Sequence, residues 1–206
     1  MKNLVIQIVH RPDGGGAEFI ARILAEELNK ENFDSWVIFF NNPKKVFLRE
    51  NEFQLGNYSG YNPINFFKLI FFILKQTKNF NKVILHGHLT HALYFLIPLS
   101  YFKKFSLFYT EHNSFNYRRN FTFLKPLERY IYFRYEKVIS ISPYVKDQLI
   151  NWIDNKKNIL KRDKFLVVFN GTKLYPFIKR NYNKQTLNLL SIGRLTTQKG
   201  FELTIN

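Results

Sequence analysis

The feature that most limits the fold is an alternation. Short apolar runs of strand length take turns with longer segments whose apolar residues recur at helical spacing. Leu4-Val5-Ile6-Gln7-Ile8-Val9 is the first run. Gly14-Gly15-Gly16 follows, then Ala17, Ile20, Ala21, Leu24, Ala25 and Leu28 at helical intervals. The same reading predicts strands at 36–40, 82–86, 105–110, 138–142 and 165–169. It predicts helices at 63–78, 90–102 and 123–135, and another opened by Pro143, where proline is tolerated. Alternating strands and helices imply an α/β chain, a doubly wound parallel sheet with helices on both faces.

Two apolar stretches, 64–74 and 93–102, invite a membrane reading. Lys68 interrupts the first and Pro98 the second. Both fall short of the roughly 20 apolar residues that span a bilayer, so both read as buried helices. The first ten residues read as a strand rather than a signal peptide. The polar stretch 173–185 reads as a linker, and 187–192 as the first strand of a second Rossmann-like domain. Domains are therefore expected at 1–180 and 181–206. One strand and one helix cannot bury a core, so the sequence reads as a chain truncated within that second domain.

Composition narrows the partners. The chain has 31 basic and 15 acidic residues, a net charge of +16. Such a field favours a polyanion: nucleic acid, an anionic membrane face or a phosphorylated small molecule. No nucleic-acid motif is present and the basic residues are spread out, so nucleic acid is not the expected partner. Cysteine is absent. That excludes disulfides, thiolate metal sites and a cysteine nucleophile, and it suits a cytoplasmic protein.

Ligands of doubly wound sheets bind beyond the carboxyl ends of the strands, and there the polar motifs fall. Gly14-Gly15-Gly16-Ala17-Glu18 lies between strand and helix, where glycine lets a phosphate or sugar approach the helix N-terminus. It also reads as a plain turn, and the dinucleotide fingerprint is absent because position 19 is Phe19. His86-Gly87-His88-Leu89-Thr90-His91 follows the strand ending at Leu85. Three imidazoles so close admit a zinc site, a neutral ring bonding a sugar or phosphate oxygen, or bonding within the loop. Thr110-Glu111-His112-Asn113 closes another strand, Ser142 is placed to cap the next helix, and Asn170-Gly171 follows the last strand of the first domain. Arg194 and Lys199, in a loop leading to a helix, suit a diphosphate clamp or a solvated basic loop.

The order of these motifs resembles the GT-B glycosyltransferases, in particular the large retaining family numbered four. The shared features are Gly15-Gly16-Ala17-Glu18, the loop from His86 to His91, Thr110-Glu111-His112, Ser140-Ile141-Ser142, Asn170-Gly171, and Gly193-Arg194-Leu195 with Lys199-Gly200. The resemblance implies transfer of a sugar, with retention, from a nucleotide-sugar to a lipid-linked or surface-polysaccharide acceptor of lipopolysaccharide, capsule or O-antigen type. It implies Gly15 and Gly16 beside the donor phosphate or sugar, and His88 or His91 as the catalytic histidine. Arg194 and Lys199 would neutralise the leaving diphosphate, and Glu18, His112 and Asn170 would serve the acceptor side or the framework. Neither a metal nor another cofactor is expected. The acidic motif of the family's donor half lies beyond this sequence, so a non-catalytic remnant, or an acceptor-binding subunit needing a separate donor-domain chain, is the alternative. The basic and aromatic loops at 101–105 and 117–119 are expected to rest on an anionic membrane surface, placing the protein at the inner face of the cytoplasmic membrane.

Overall fold

The structure is a computed structural model and describes residues 3–56, 58, 62–154 and 162–172, with single positions at 174, 176, 190, 192, 193, 200 and 201. Residues 1–171 form one compact unit and 172–206 a second. Every strand and helix among the described residues belongs to the first. The linker and second domain expected from sequence lie mostly outside the described residues.

Seven strands form one parallel sheet in the order β3-β2-β1-β4-β5-β6-β7. They are β1 (Leu4–Val9), β2 (Asp34–Phe39), β3 (Glu52–Gln54), β4 (Val83–His88), β5 (Phe105–Glu111), β6 (Lys137–Ser140) and β7 (Phe165–Val167). The helices are α1 (Gly16–Lys30), α2 (Pro63–Gln76), α3 (Leu89–Phe95), α4 (Lys125–Arg134) and α5 (Pro143–Ile153). This is the doubly wound Rossmann-like architecture that the alternation predicts. The chain leaves β1 for β2 and β3 on one side, then returns to β4 on the other. The crevice between the ends of β1 and β4 is thus the topological switch point.

β1 is apolar throughout save Gln7 because both its faces are covered. Leu4, Ile6 and Ile8 point to the face that carries α2, α3, α4 and α5, where they join Leu69, Ile73, Leu107, Ile131 and Leu149 in the main core. Each fully buried aliphatic side chain contributes about 1.5–3 kcal/mol. On the opposite face Val9, Val37 and Phe39 pack against Ala21 and Ala25 of α1. Small residues on α1 let it lie close to the sheet. Asn62 caps α2 by accepting from the Ile64 amide at 2.9 Å, and Ser142 caps α5 by accepting from the Val145 amide at 3.2 Å.

Four details differ from the sequence reading. The stretch 64–74 is not a buried helix: α2 buries Leu69 and Ile73 but leaves Phe67 68% and Phe71 67% exposed. The helix expected over 90–102 ends at Phe95 and continues as a 3-10 turn at Ile97–Tyr101, because Pro98 has no amide hydrogen to give. β3 is three residues long, too short to show a period of two. β4 runs on to His88 rather than stopping at 86, which decides where the histidines point.

The packing of α2 predicts a contrast. Ile73→Ala should cost about 2–4 kcal/mol by leaving a cavity, whereas Phe71→Ala should change stability by about 0.5 kcal/mol or less. Urea denaturation of the two variants checks this; equal losses would place the wrong side of α2 in the core.

Candidate functional site

The parallel register sets Gln7 of β1 beside His86 of β4, and His88 beside Thr110 of β5. Strand side chains alternate in direction, so Gln7, His86, His88 and Thr110 share the α1 face while Gly87 turns to the other. There Gly87 has no room for a side chain. A Cβ would sit 3.0 Å from the Ala92 methyl and 3.1 Å from Leu96 Cδ1. Immediately after β4, Leu89 adopts a φ of 66°, a left-handed turn that starts α3 without a loop.

The polar row is hydrogen-bonded within itself. Nε2 of His86 lies 2.7 Å from the Thr110 hydroxyl. Nε2 of His88 lies 2.9 Å from Gln7 Oε1, and its Nδ1 lies 3.0 Å from Nε2 of His112. With the Gln7 carboxamide oxygen accepting, His88 carries its proton on Nε2. Nδ1 of His88 then accepts, so Nε2–H of His112 donates to it. The relay leaves Nδ1 of the half-buried His112 as an unprotonated acceptor. His88 itself is 1% exposed with both ring nitrogens engaged.

Burial keeps these rings neutral. It lowers His86 to about 3, aided by neighbouring His112, and lowers His112 to about 4. His88 is held well below the ordinary value by burial and by the two flanking imidazoles. His91 falls to about 4 through burial and its neighbour His10, whose ring centroid is 4.9 Å away. Among the described residues no three His, Asp or Glu side chains are grouped to hold a metal ion.

A second network fixes the loop that carries His112. Glu111 and Glu128 are 2% and 0% exposed. Arg118 lies between them, pairing with the Glu128 carboxylate and donating to Thr90 Oγ1 at 2.6 Å and to the Tyr132 hydroxyl at 3.0 Å. Arg119 donates to Glu111 Oε2 at 3.0 Å, as does the Tyr132 hydroxyl, and Trp152 donates to Glu128 Oε2 at 2.6 Å. Residues 113–120, an open loop in the sequence reading, are thereby tied to α3, α4 and α5. Arg118 and Arg119 point inward, so they are not the membrane-facing cations expected from the sequence.

The glycine turn lies at the end of β1. Gly15 is the N-cap of α1 and makes no side-chain cap bond. A Cβ at Gly15 or Gly16 would meet nothing within 4 Å, whereas one at Gly14 would fall 2.2 Å from the carboxyl carbon of buried Glu18. The first turn of α1 therefore offers amide hydrogens toward open space. Below the polar row, on the α1 face, an apolar cavity of about 360 Å³ runs along Val5, Ile84, Phe108 and Ile139, with Gln7, His86, Thr110 and Asn170 also on its wall. The structure thus brings Gln7, His86, His88, Thr110 and His112 into one connected row. It sets His91 apart against His10 and Phe40, and leaves Asn170 exposed after β7. Arg194 and Lys199 lie outside the described residues. Sequence reasoning missed Gln7 and the Arg118–Glu128 pair; the signal for Gln7 was a lone amide in an otherwise apolar strand.

A family model for Glycosyltransferase Family 4 matches residues 14–174, and the chain belongs to that family. No curated protein matches it in sequence. Among solved structures it is similar to Anabaena Alr3699/HepE in complex with UDP and glucose, at 14% identity and a TM-score of 0.61, covering 82% of this chain and 44% of that one. It is similar to the lipopolysaccharide outer core galactosyltransferase WaaB, at 16% identity and 0.55, covering 90% and 50%. UDP-GlcNAc 2-epimerase from Methanocaldococcus jannaschii aligns at 19% identity and 0.53, covering 82% and 46%. These likenesses establish the fold, and the chain spans about half the length of the structures it matches.

Two predictions follow from the geometry. The folded pKa values of His86 and His88 lie below the unfolded value near 6.5, so the unfolded chain binds more protons on acidification. Stability is full above that value and falls as pH drops toward 4, by up to about 1.4 kcal/mol per unit for each of these two rings. His86→Gln should make the pH dependence of the urea midpoint shallower; an unchanged slope would contradict a buried neutral ring. Arg118→Met leaves the buried Glu128 carboxylate without its cation, while Glu111 keeps Arg119, and should cost about 3–5 kcal/mol, read as a lower thermal midpoint.

Proposed function

We propose that the protein serves glycosyl transfer from a nucleotide-sugar, with retention, to a lipid-linked or surface-polysaccharide acceptor, and that the strand ends at β1, β4 and β5 form its sugar site. The observation that carries this reading is the relay from Gln7 through His88 to His112. It presents a neutral imidazole with a defined acceptor nitrogen beside the ends of two central strands. Such a nitrogen accepts a hydrogen bond from a sugar hydroxyl, and at neutral pH it does not act as an acid. The open first turn of α1 at Gly15 and Gly16 suits a phosphate or sugar oxygen. Arg194 and Lys199 are retained as the proposed clamp on the leaving diphosphate, which stabilises developing negative charge.

Within this reading His112 is the ring that touches sugar. His88, the candidate favoured by sequence, positions it by fixing its tautomer, and His91 supports the turn at His10. The family match supports transfer, and the UDP and glucose bound to Alr3699/HepE make UDP-sugars the first donors to try. With UDP-sugars and membrane glycolipid extracts, the protein is expected to release UDP only when acceptor is present. His112→Ala should slow that release about 100-fold or more, with an unchanged circular dichroism spectrum. Acceptor-independent release, or a His112→Ala rate equal to wild type, would overturn the assignment.

A second reading is an acceptor-binding subunit that acts with a separate donor-domain chain. Transfer that appears only after such a chain is added would select it. The likeness to UDP-GlcNAc 2-epimerases is tested in the same assay, by looking for the C2 epimer of UDP-GlcNAc with no acceptor present.

A further inference from the structure

The charges of the chain are unevenly placed. Between Glu52 and Glu136 the sequence has eleven lysines and arginines but two acidic residues, Glu111 and Glu128. Both are buried and paired with Arg118 and Arg119. The surface built by this stretch therefore exposes cations and no carboxylate. The same stretch supplies most of the large apolar side chains that the structure leaves in solvent.

On α2 these features coincide. Ile64, Phe67, Phe71 and Leu74 recur every three or four residues and are all exposed, on the side opposite Leu69 and Ile73. Lys68 and Lys75 are interleaved with them, Lys75 lying 5.9 Å from the centre of the Phe71 ring. No acidic residue occurs on the helix. The Lys104 ammonium bonds the Thr77 carbonyl at the end of α2, so the exposed Phe102 and Lys103 continue the strip. α4 packs on the same face of the sheet, and its exposed Leu127 and Tyr130 point away from the core in the same way.

We infer that the outward side of α2, extended by Phe102 and Lys103, docks the protein onto an anionic lipid bilayer. Fourteen helical residues measure about 21 Å, too short to cross the roughly 30 Å hydrocarbon core. Among the described residues no helix is long and apolar enough to cross a membrane. The helix therefore lies in the interface, its phenylalanines among the acyl chains and its lysines at the headgroups. The interleaved cations and the missing carboxylates select an anionic lipid over a protein partner, whose surface would carry both signs. This surface needs nothing from the sugar site, so its test can fail while the proposed activity stands.

The test is co-sedimentation of the full 206-residue chain with vesicles of phosphatidylcholine alone, or with 30 mol% phosphatidylglycerol (about a third, an ordinary anionic load). Binding is expected only to the anionic vesicles and should weaken as salt rises. The double variant Phe67→Asn/Phe71→Asn should lose at least about tenfold in vesicle affinity, and Lys68→Glu/Lys75→Glu should lose a similar amount. Phe47→Asn, an exposed phenylalanine outside this stretch, should bind like wild type. Circular dichroism and thermal midpoints of all variants are expected to match wild type, because none of these side chains is buried. A Phe71→Trp variant should shift its emission to the blue on adding anionic vesicles. No binding at low salt would overturn the inference. So would binding untouched by the α2 variants, which would reflect net charge alone, or self-association that Phe67→Asn/Phe71→Asn abolishes while vesicles are ignored.

Discussion

The parallel register of β1, β4 and β5 is the constraint on which the rest depends. It sets residue 7 beside residue 86 and residue 88 beside residue 110. The pleat then sends odd positions of β1 and even positions of β4 and β5 to one face. At the lower end of that face the side chains are apolar; at the carboxyl ends they are Gln7, His86, His88 and Thr110. A slip of one residue in β4 would turn both histidines into the α3 contact and Gly87 into the polar row. The close fit of Gly87 against Ala92 and Leu96 opposes that slip. Core packing on one face and the tautomer relay on the other are thus two consequences of one pairing.

Much of the fold was legible because its signals were local and repeated. Leu4 to Val9 read as a buried parallel strand, and Ala17 to Leu28 as an amphipathic helix. The strand-end rule also placed the glycine turn, the histidine loop and Thr110-Glu111-His112 at one end of the sheet. The inward identity of the partners was not legible. Nothing local says that Gln7 meets a histidine eighty-one positions on, or that Arg118 turns inward to Glu128, because those meetings are set by register and by helix packing. The family resemblance favoured His88, with His91 as its rival; both ring nitrogens of His88 are engaged and it is buried, which is why the proposed sugar contact passes to His112. The exposed side of α2 was misread for a related reason. A largely apolar helix signals burial on most sides, and only the packed structure shows that one side has no partner within the described residues.

The two kinds of charge in the stretch 53–135 serve different ends. The acidic residues are few and internal, where pairing with arginine offsets the cost of removing both ions from water. Their pairs tie the His112 loop to three helices, which holds an acceptor nitrogen in place without a covalent link. The lysines stay outside, where each is worth little to stability but together they shape the field at the surface. A neutral, rigid strand end and a cationic, apolar helix face are therefore built from the same stretch of chain.

The most direct measurement is an amide and imidazole NMR titration of the protein with a UDP-sugar. If the strand ends are the sugar site, the amides of Gly15 and Gly16 and the ring of His112 shift together and saturate, while the amides of α2 stay still. Shifts that spare those three residues, or that gather along the apolar cavity at Ile84 and Phe108, would contradict the assignment of the site.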